Sequence, residues 1–159
     1  MISIRKSAPS DALAMGNIYC KGWQTGYAGI VPQAFLDSLT PERCAPEGID
    51  FDSAFVAELN GELAGLLTFH PGEADDEWVI QSFYVLPECW RGGVGSALFN
   101  AAKDEFCRLG GKELCLCTLR ENRRARAFYE KMGMRLTDDE FFFEVVGEKL
   151  PEVCYRMKI

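Results

Sequence analysis

"LPECWRGGVGSALFNAAKDEF", residues 86–106, decides how this chain is read. Gly92, Gly93 and Gly95 fall within four positions, and Val94, Leu98, Ala101, Ala102, Phe106 and Leu109 then recur at helical spacing. A mostly apolar, strand-forming run, "WVIQSFYVL" (78–86), comes immediately before. Strand, glycine turn and helix start together leave backbone N–H groups free at the positive end of a helix dipole, where phosphate oxygens bind. A tight turn with no ligand is the competing reading. Two familiar phosphate patterns fail on spacing. The P-loop needs a lysine after its glycines, and none follows here. The dinucleotide fingerprint needs a third glycine where Leu98 stands.

Outward from this loop, both flanks alternate strand and helix signals. Upstream, "SAFVAEL" and "ELAGLLTFH" (53–70) flank Asn60-Gly61, a preferred pair for a two-residue hairpin turn. "ISIRKS" (2–7) reads as a first strand, and Pro9, Ser10 and Asp11 open a helix carrying Leu13, Met15, Ile18 and Tyr19. Residues 22–39 are aromatic and broken by glycines, with a short helix expected over 32–38, and residues 40–50 and 71–77 read as loops. Downstream, Gly110-Gly111 ends the long helix and "KELCLCTL" (112–119) forms a strand. A helix over 121–133 follows, with Asn122 as N-cap and Gly133 as terminator, and strands over 140–147 and 152–159 close the chain. The expected class is α/β: one domain over 1–159, with a mixed, mostly antiparallel sheet of about seven strands flanked by about four helices.

Composition narrows the function. The 159 residues carry 17 basic and 24 acidic groups, a net charge of −7, which argues against nucleic acid as a partner. An acidic surface suits a cationic substrate. No apolar run reaches the roughly 18 residues of a membrane span, and the start has no signal-peptide core, so a cytoplasmic protein is expected. The seven cysteines are odd in number and lack Cys-x-x-Cys pairs or a His-rich segment, so they read as buried free thiols, with no metal site. Cys115 and Cys117 share one face of their strand.

With these residues in place, "Trp90-Arg91-Gly92-Gly93-Val94-Gly95" resembles the Gln/Arg-x-x-Gly-x-Gly/Ala loop of the GNAT superfamily of acyl-CoA-dependent N-acetyltransferases, with Trp90 where Gln or Arg is usual. "Asn122-Arg123-Arg124-Ala125-Arg126-Ala127-Phe128-Tyr129-Glu130-Lys131-Met132-Gly133-Met134" resembles the second signature of that family, and "Trp23-Gln24-Thr25-Gly26-Tyr27" its substrate-side segment. The resemblance implies acetyl-CoA as cosubstrate, with its pyrophosphate on the loop. Phe83, Val85, Arg91, Gly92, Gly93, Val94, Gly95, Ser96, Asn122, Phe128 and Tyr129 would line the cofactor site. It further implies the Val85 N–H as oxyanion donor and Tyr129 as proton donor to the leaving thiolate. Trp23, Tyr27 and Gln81, with Phe35, would meet a small-molecule or peptide amine. Family members are often dimers, so a homodimer stays open as a partner.

Each assignment has a plainer counterpart. Tyr129 falls at i+4 from Ala125 on an apolar stripe, so a core tyrosine with one hydrogen bond is the alternative. Asn122 is either a cap or a contact to the CoA arm, and the arginines at 120, 123, 124 and 126 are a solvated face or phosphate contacts. Trp23, Tyr27 and Phe35 are equally at home in a core. The general base is the open position. Where the family often has a glutamate, this chain has Val79. Glu77 is the named candidate, against an acidic loop formed by Asp75, Asp76 and Glu77 and a water chain through Gln81 and Glu77; His70, the one histidine, is a strand-end surface residue or a base. The expected reaction is direct acetyl transfer to a primary amine in a ternary complex. Val79 keeps a non-catalytic acyl-CoA-binding module as the alternative.

Overall fold

The computed structural model describes residues Met1–Ile159. Seven strands form one sheet: β1 (Ile2–Lys6), β2 (Ala54–Leu59), β3 (Glu62–Pro71), β4 (Glu77–Val85), β5 (Glu113–Leu119), β6 (Arg135–Val145) and β7 (Glu148–Lys158). Their order is β1-β2-β3-β4-β5-β7-β6, and β4–β5 is the one parallel pair. The crossover joining those two strands is α4 (Val94–Arg108), the helix that follows the glycine loop. This is the mixed, mostly antiparallel sheet read from the sequence. The β2–β3 turn is made by Asn60 at φ 53° and Gly61 at φ 86°, the left-handed pair that such a two-residue hairpin requires.

Helices cover both faces. The apolar stripe of α4 buries Val94, Leu98, Ala102 and Phe106 against β1, β2, β3 and β4. Phe106 stacks on Trp78 at 5.3 Å and meets Phe69 edge-on at 5.0 Å. Burying one such ring contributes about 2–3 kcal/mol. Helix α5 (Arg123–Lys131) lies on the same face through Tyr129. On the other face, α1 (Ala12–Gly26) packs Met15 and Ile18 on Val56 and Leu66. Alongside it, α2 (Gln33–Asp37) sets Leu36 against Leu119 and Val145. No helix is long and apolar enough to cross a membrane.

Three local expectations are corrected. Helix α1 runs through Gly22 to Gly26 instead of breaking, because Gly22 sits against Tyr84: a Cβ there would come 2.8 Å from Tyr84 Cδ1. A one-turn helix, α3 (Pro41–Cys44), occupies part of the expected 40–50 loop, capped by Thr40 accepting from the Arg43 N–H at 3.2 Å. The third concerns the cysteines. Cys117 and Cys154 are register partners on β5 and β7 with Cα atoms 4.0 Å apart, and they form a disulfide. They lie 37 residues apart in the chain, so only the strand pairing brings them together. The other five are free thiols, of which only Cys20 is buried.

Candidate active site

The cleft is a consequence of incomplete pairing. Strands β4 and β5 are bonded only from Glu77–Val79 to Glu113–Cys115. Beyond that they diverge, and a cleft of about 840 Å³ opens between them. A bulge at Gln81 bends β4 at this point, since the β3 ladder passes from Thr68↔Ser82 to Phe69↔Ile80 and leaves Gln81 unpaired.

Backbone direction at the end of β4 follows from the ladder. The Leu86 N–H donates to the Ala64 carbonyl at 2.8 Å, so the next pair, Gly65↔Val85, is a non-hydrogen-bonded pair. The N–H and C=O of Val85 therefore point away from β3 and toward the cleft, and two residues back those of Phe83 do likewise. Trp90 confirms the direction on one of these groups, because its Nε1–H donates to the Val85 carbonyl at 2.9 Å. The tryptophan standing in place of Gln or Arg thus ties the glycine loop to the strand. Above it lies the Arg124 guanidinium, 3.2 Å from the ring centroid.

The loop delivers an open helix end. Gly93, the N-cap of α4, has φ 89°, and no side chain caps the first turn. The first helical bond is Ala97 N–H to the Gly93 carbonyl at 3.0 Å, so the N–H groups of Val94, Gly95 and Ser96 lack helical partners. Gly95 is packed close: a Cβ there would lie 3.4 Å from the Phe128 ring.

From α5, Tyr129 reaches the cleft although only 7% of it is exposed. Its hydroxyl has no hydrogen-bond partner in the protein and is not sealed from solvent. Burial pushes it far above the ordinary tyrosine range, so it is a neutral O–H donor. Asn122 accepts from the Ala125 N–H at 3.3 Å and so caps α5, while also lining the cleft. Of the four neighbouring arginines, Arg124 alone lines it. Arg126 instead donates to the Tyr155 hydroxyl at 3.0 Å and to the Arg120 carbonyl at 3.1 Å, and Arg120 pairs with Glu140.

The cleft brings together Tyr27, Gln81, Phe83, Val85, Arg91, Gly93, Gly95, Ser96, Asn122, Phe128 and Tyr129. Five of the expected site residues stand elsewhere, among them Phe35, which packs against Trp23 outside the lining. Gly92 is in the loop but outside the lining, and the Val94 side chain is fully buried in the core. Trp23 sits behind the wall, its Nε1–H donating to the Tyr84 hydroxyl at 2.9 Å and its ring packed on Tyr27 and Phe35. Glu77 is also off the cleft. Its carboxylate is held by Arg156 at 2.6 Å and accepts from the Glu73 N–H, and the guanidinium lowers its pKa. An ion-paired carboxylate of lowered pKa is a weak base, and no carboxylate or histidine lines the cleft. Arg124, open in the sequence between a solvated face and a phosphate contact, lines the cleft, and so do Tyr84 and Cys117, which the sequence did not point to. For Tyr84 the alternation of "SFYV" was the available signal.

Against known proteins, residues 15–134 match the model of the Acetyltransferase (GNAT) family. The chain belongs to this family. It is a GNAT acetyltransferase, and over 96% of its length it is 23% identical to YuaI of Bacillus subtilis, an uncharacterized N-acetyltransferase, covering 91% of that protein. Two solved acetyltransferase structures share the fold. The PaiA N-acetyltransferase from Thermoplasma acidophilum, in complex with coenzyme A, superposes with a TM-score of 0.76 at 21% identity, covering 96% of this chain and 98% of that one. YncA from Salmonella typhimurium, a putative acetyltransferase with its cofactor acetyl-CoA, gives 0.69 at 19% identity, covering 99% and 93%.

Proposed function

We propose that this GNAT protein transfers acetyl from acetyl-CoA directly to a primary amine, with both substrates bound in the β4–β5 cleft. One observation carries the reading: the uncapped first turn of α4, the outward-facing backbone of Phe83 and Val85, and the unpartnered Tyr129 hydroxyl all open on one cleft. The coenzyme A and acetyl-CoA bound by the two structural relatives support it.

In this reading the α4 amides hold the pyrophosphate, and Arg91 and Arg124 add positive charge beside it. The pantetheine arm runs along β4. The Val85 N–H donates to the thioester oxygen as negative charge develops on it. Attack by the amine nitrogen forms the new C–N bond, collapse breaks the C–S bond, and Tyr129 protonates the departing thiolate. The amine approaches past Tyr27 and Tyr84. With no carboxylate or histidine in the lining, its proton leaves through water at Gln81, or the amine arrives neutral. The rate with an alkylamine therefore rises about tenfold per pH unit until the amine's own pKa, about 10, is approached. A plateau near pH 7 in kcat/KM for the amine is the outcome that argues for a protein base instead.

Two measurements test the reading. Acetyl-CoA raises the melting temperature, because a ligand specific for the native state stabilises it. Thiol release over a panel of amino acids, polyamines, peptide N-termini and lysine peptides shows amine-dependent turnover. A melting temperature unmoved by millimolar acetyl-CoA refutes the cleft assignment. Stabilisation with no turnover on any amine favours the non-catalytic acyl-CoA-binding module that Val79 suggests.

A further inference from the structure

The Cys117–Cys154 disulfide has no place in the acetyl transfer described above, yet it opens on the same cleft. Cys117 is exposed and lines the cleft between Leu116 and Thr118, whereas Cys154 is only 4% exposed. Leu116 packs in one cluster with Tyr129, so the disulfide flanks the wall that carries the proposed proton donor. The β5–β7 ladder runs unbroken through seven pairs, from Glu113↔Lys158 to Leu119↔Glu152. On its other side, Cys154 lies opposite the β6 irregularity between Leu136 and Glu140, where no ladder pair holds it.

We propose that Cys117 is a site of covalent modification by the coenzyme A thiol, formed by exchange with the Cys117–Cys154 disulfide inside the cleft. The inference rests on the coenzyme A reading of that cleft. Coenzyme A, released by each acetyl transfer as the thiol, loses its proton to water, and the resulting thiolate attacks Cys117 Sγ, the sulfur on the exposed residue. A new S–S bond forms between coenzyme A and Cys117 as the Cys117–Cys154 bond breaks. Cys154 leaves as a thiolate and takes a proton from water, replacing the one the coenzyme A thiol lost. The coenzyme A sulfur is oxidised to the disulfide level and the Cys154 sulfur is reduced to a thiol, so no further oxidant or reductant enters. Cys115, two residues along the same face, does not compete as the attacking thiol: burial and then the Glu77 carboxylate push it up to about 11, leaving it protonated at neutral pH. The product is a cleft filled by its own tethered cofactor and closed to acetyl-CoA until a reductant frees it.

The test uses the wild-type protein with its disulfide intact, incubated anaerobically with coenzyme A, then acid-quenched and followed by non-reducing mass spectrometry. Anaerobic conditions matter because a free thiol on the protein needs an oxidant to take up coenzyme A, and a disulfide does not. The expected result is one coenzyme A per chain, mapped to Cys117, with Cys154 newly open to alkylation. Binding in the cleft raises the effective concentration, so the reaction outpaces that with equimolar glutathione by on the order of tenfold or more. Excess acetyl-CoA, which has no free thiol, suppresses the adduct. Acetyltransferase activity falls with adduct formation and returns with dithiothreitol. If coenzyme A raises the melting temperature but no adduct forms at Cys117, the proposal fails and the cleft reading stands. An adduct that forms equally fast with glutathione, or undiminished by acetyl-CoA, also overturns it. If coenzyme A neither stabilises nor modifies the protein, the cleft reading falls and the proposal with it.

Discussion

At the amino end of α4, Gly93 offers no side chain and the first-turn N–H groups stand open, whereas at the amino end of α5 Asn122 bonds the Ala125 N–H at 3.3 Å. Both helices start at the same cleft. Their difference separates two ways of using a helix terminus. An uncapped end forgoes about 1 kcal/mol of intrinsic stability and keeps its donors for a ligand. A capped end is self-sufficient, so α5 contributes to the site through side chains further along: Arg124 over Trp90, and Tyr129 one turn deeper. On this view the open end of α4 serves binding and Tyr129 on α5 serves chemistry, and substitutions at Gly95 and Tyr129 should separate KM from kcat.

The largest effect belongs to α5. Tyr129→Phe removes the hydroxyl and keeps the ring that packs near Phe83 and Tyr155 at 6.2 and 5.9 Å. Turnover should fall by about 10²-fold or more, the usual scale for losing a general acid. Affinity for acetyl-CoA should stay within about twofold, and steady-state kinetics beside a titration of binding read both. Equal loss of rate and affinity would return Tyr129 to a packing role. The complementary change on α4 is Gly95→Val, which pushes into the Phe128 ring and covers the open amides. KM for acetyl-CoA should rise by about tenfold, the cost of roughly one charge-assisted hydrogen bond, with kcat less affected. A fall in kcat with KM unchanged would break the division of labour between the helices.

A smaller effect is expected where the two halves of the site are joined. Trp90→Phe retains an aromatic ring under Arg124 and deletes the Nε1–H bond to the Val85 carbonyl. Loss of one such bond costs about 1 kcal/mol, or about 2–4 °C in Tm for a chain of this size. Because Val85 is also the proposed oxyanion donor, a modest kcat decrease should accompany it. Unchanged stability and rate would mean the loop holds its position without the indole.

The two helices also show what a sequence discloses. The α4 and α5 signatures are contiguous, so glycines, cap and tyrosine could be read from neighbouring letters, and the crossover order placed them on one sheet. The opposite wall is assembled from distant segments. Glu77 looked available as a base because its partner Arg156 is 79 residues away on β7. Trp23 looked like a lining residue because nothing local reveals that Tyr84 stands in front of it, holding its indole N–H. The disulfide escaped for the same reason: Cys117 and Cys154 share only a register. Features fixed by chain neighbours were legible, and those fixed by strand pairing were not.

Asn122 is the residue on which the contrast between capped and open ends can be sharpened furthest, because its carboxamide has two functional ends. The Oδ1 atom accepts from Ala125, and the amide group is free to donate to a ligand in the cleft that Asn122 lines. Asn122→Ala removes both and should cost about 1 kcal/mol, lowering Tm by about 2–4 °C. Asn122→Ser restores a capping oxygen without an amide donor. If capping is the whole role, the serine variant recovers Tm and both variants keep the wild-type KM for acetyl-CoA. If the amide also holds the CoA arm, serine recovers Tm while KM stays raised by a few-fold, the value of one neutral hydrogen bond. The second pattern is the one expected here, since Asn122 lines the cleft while its Oδ1 alone is taken up by the cap.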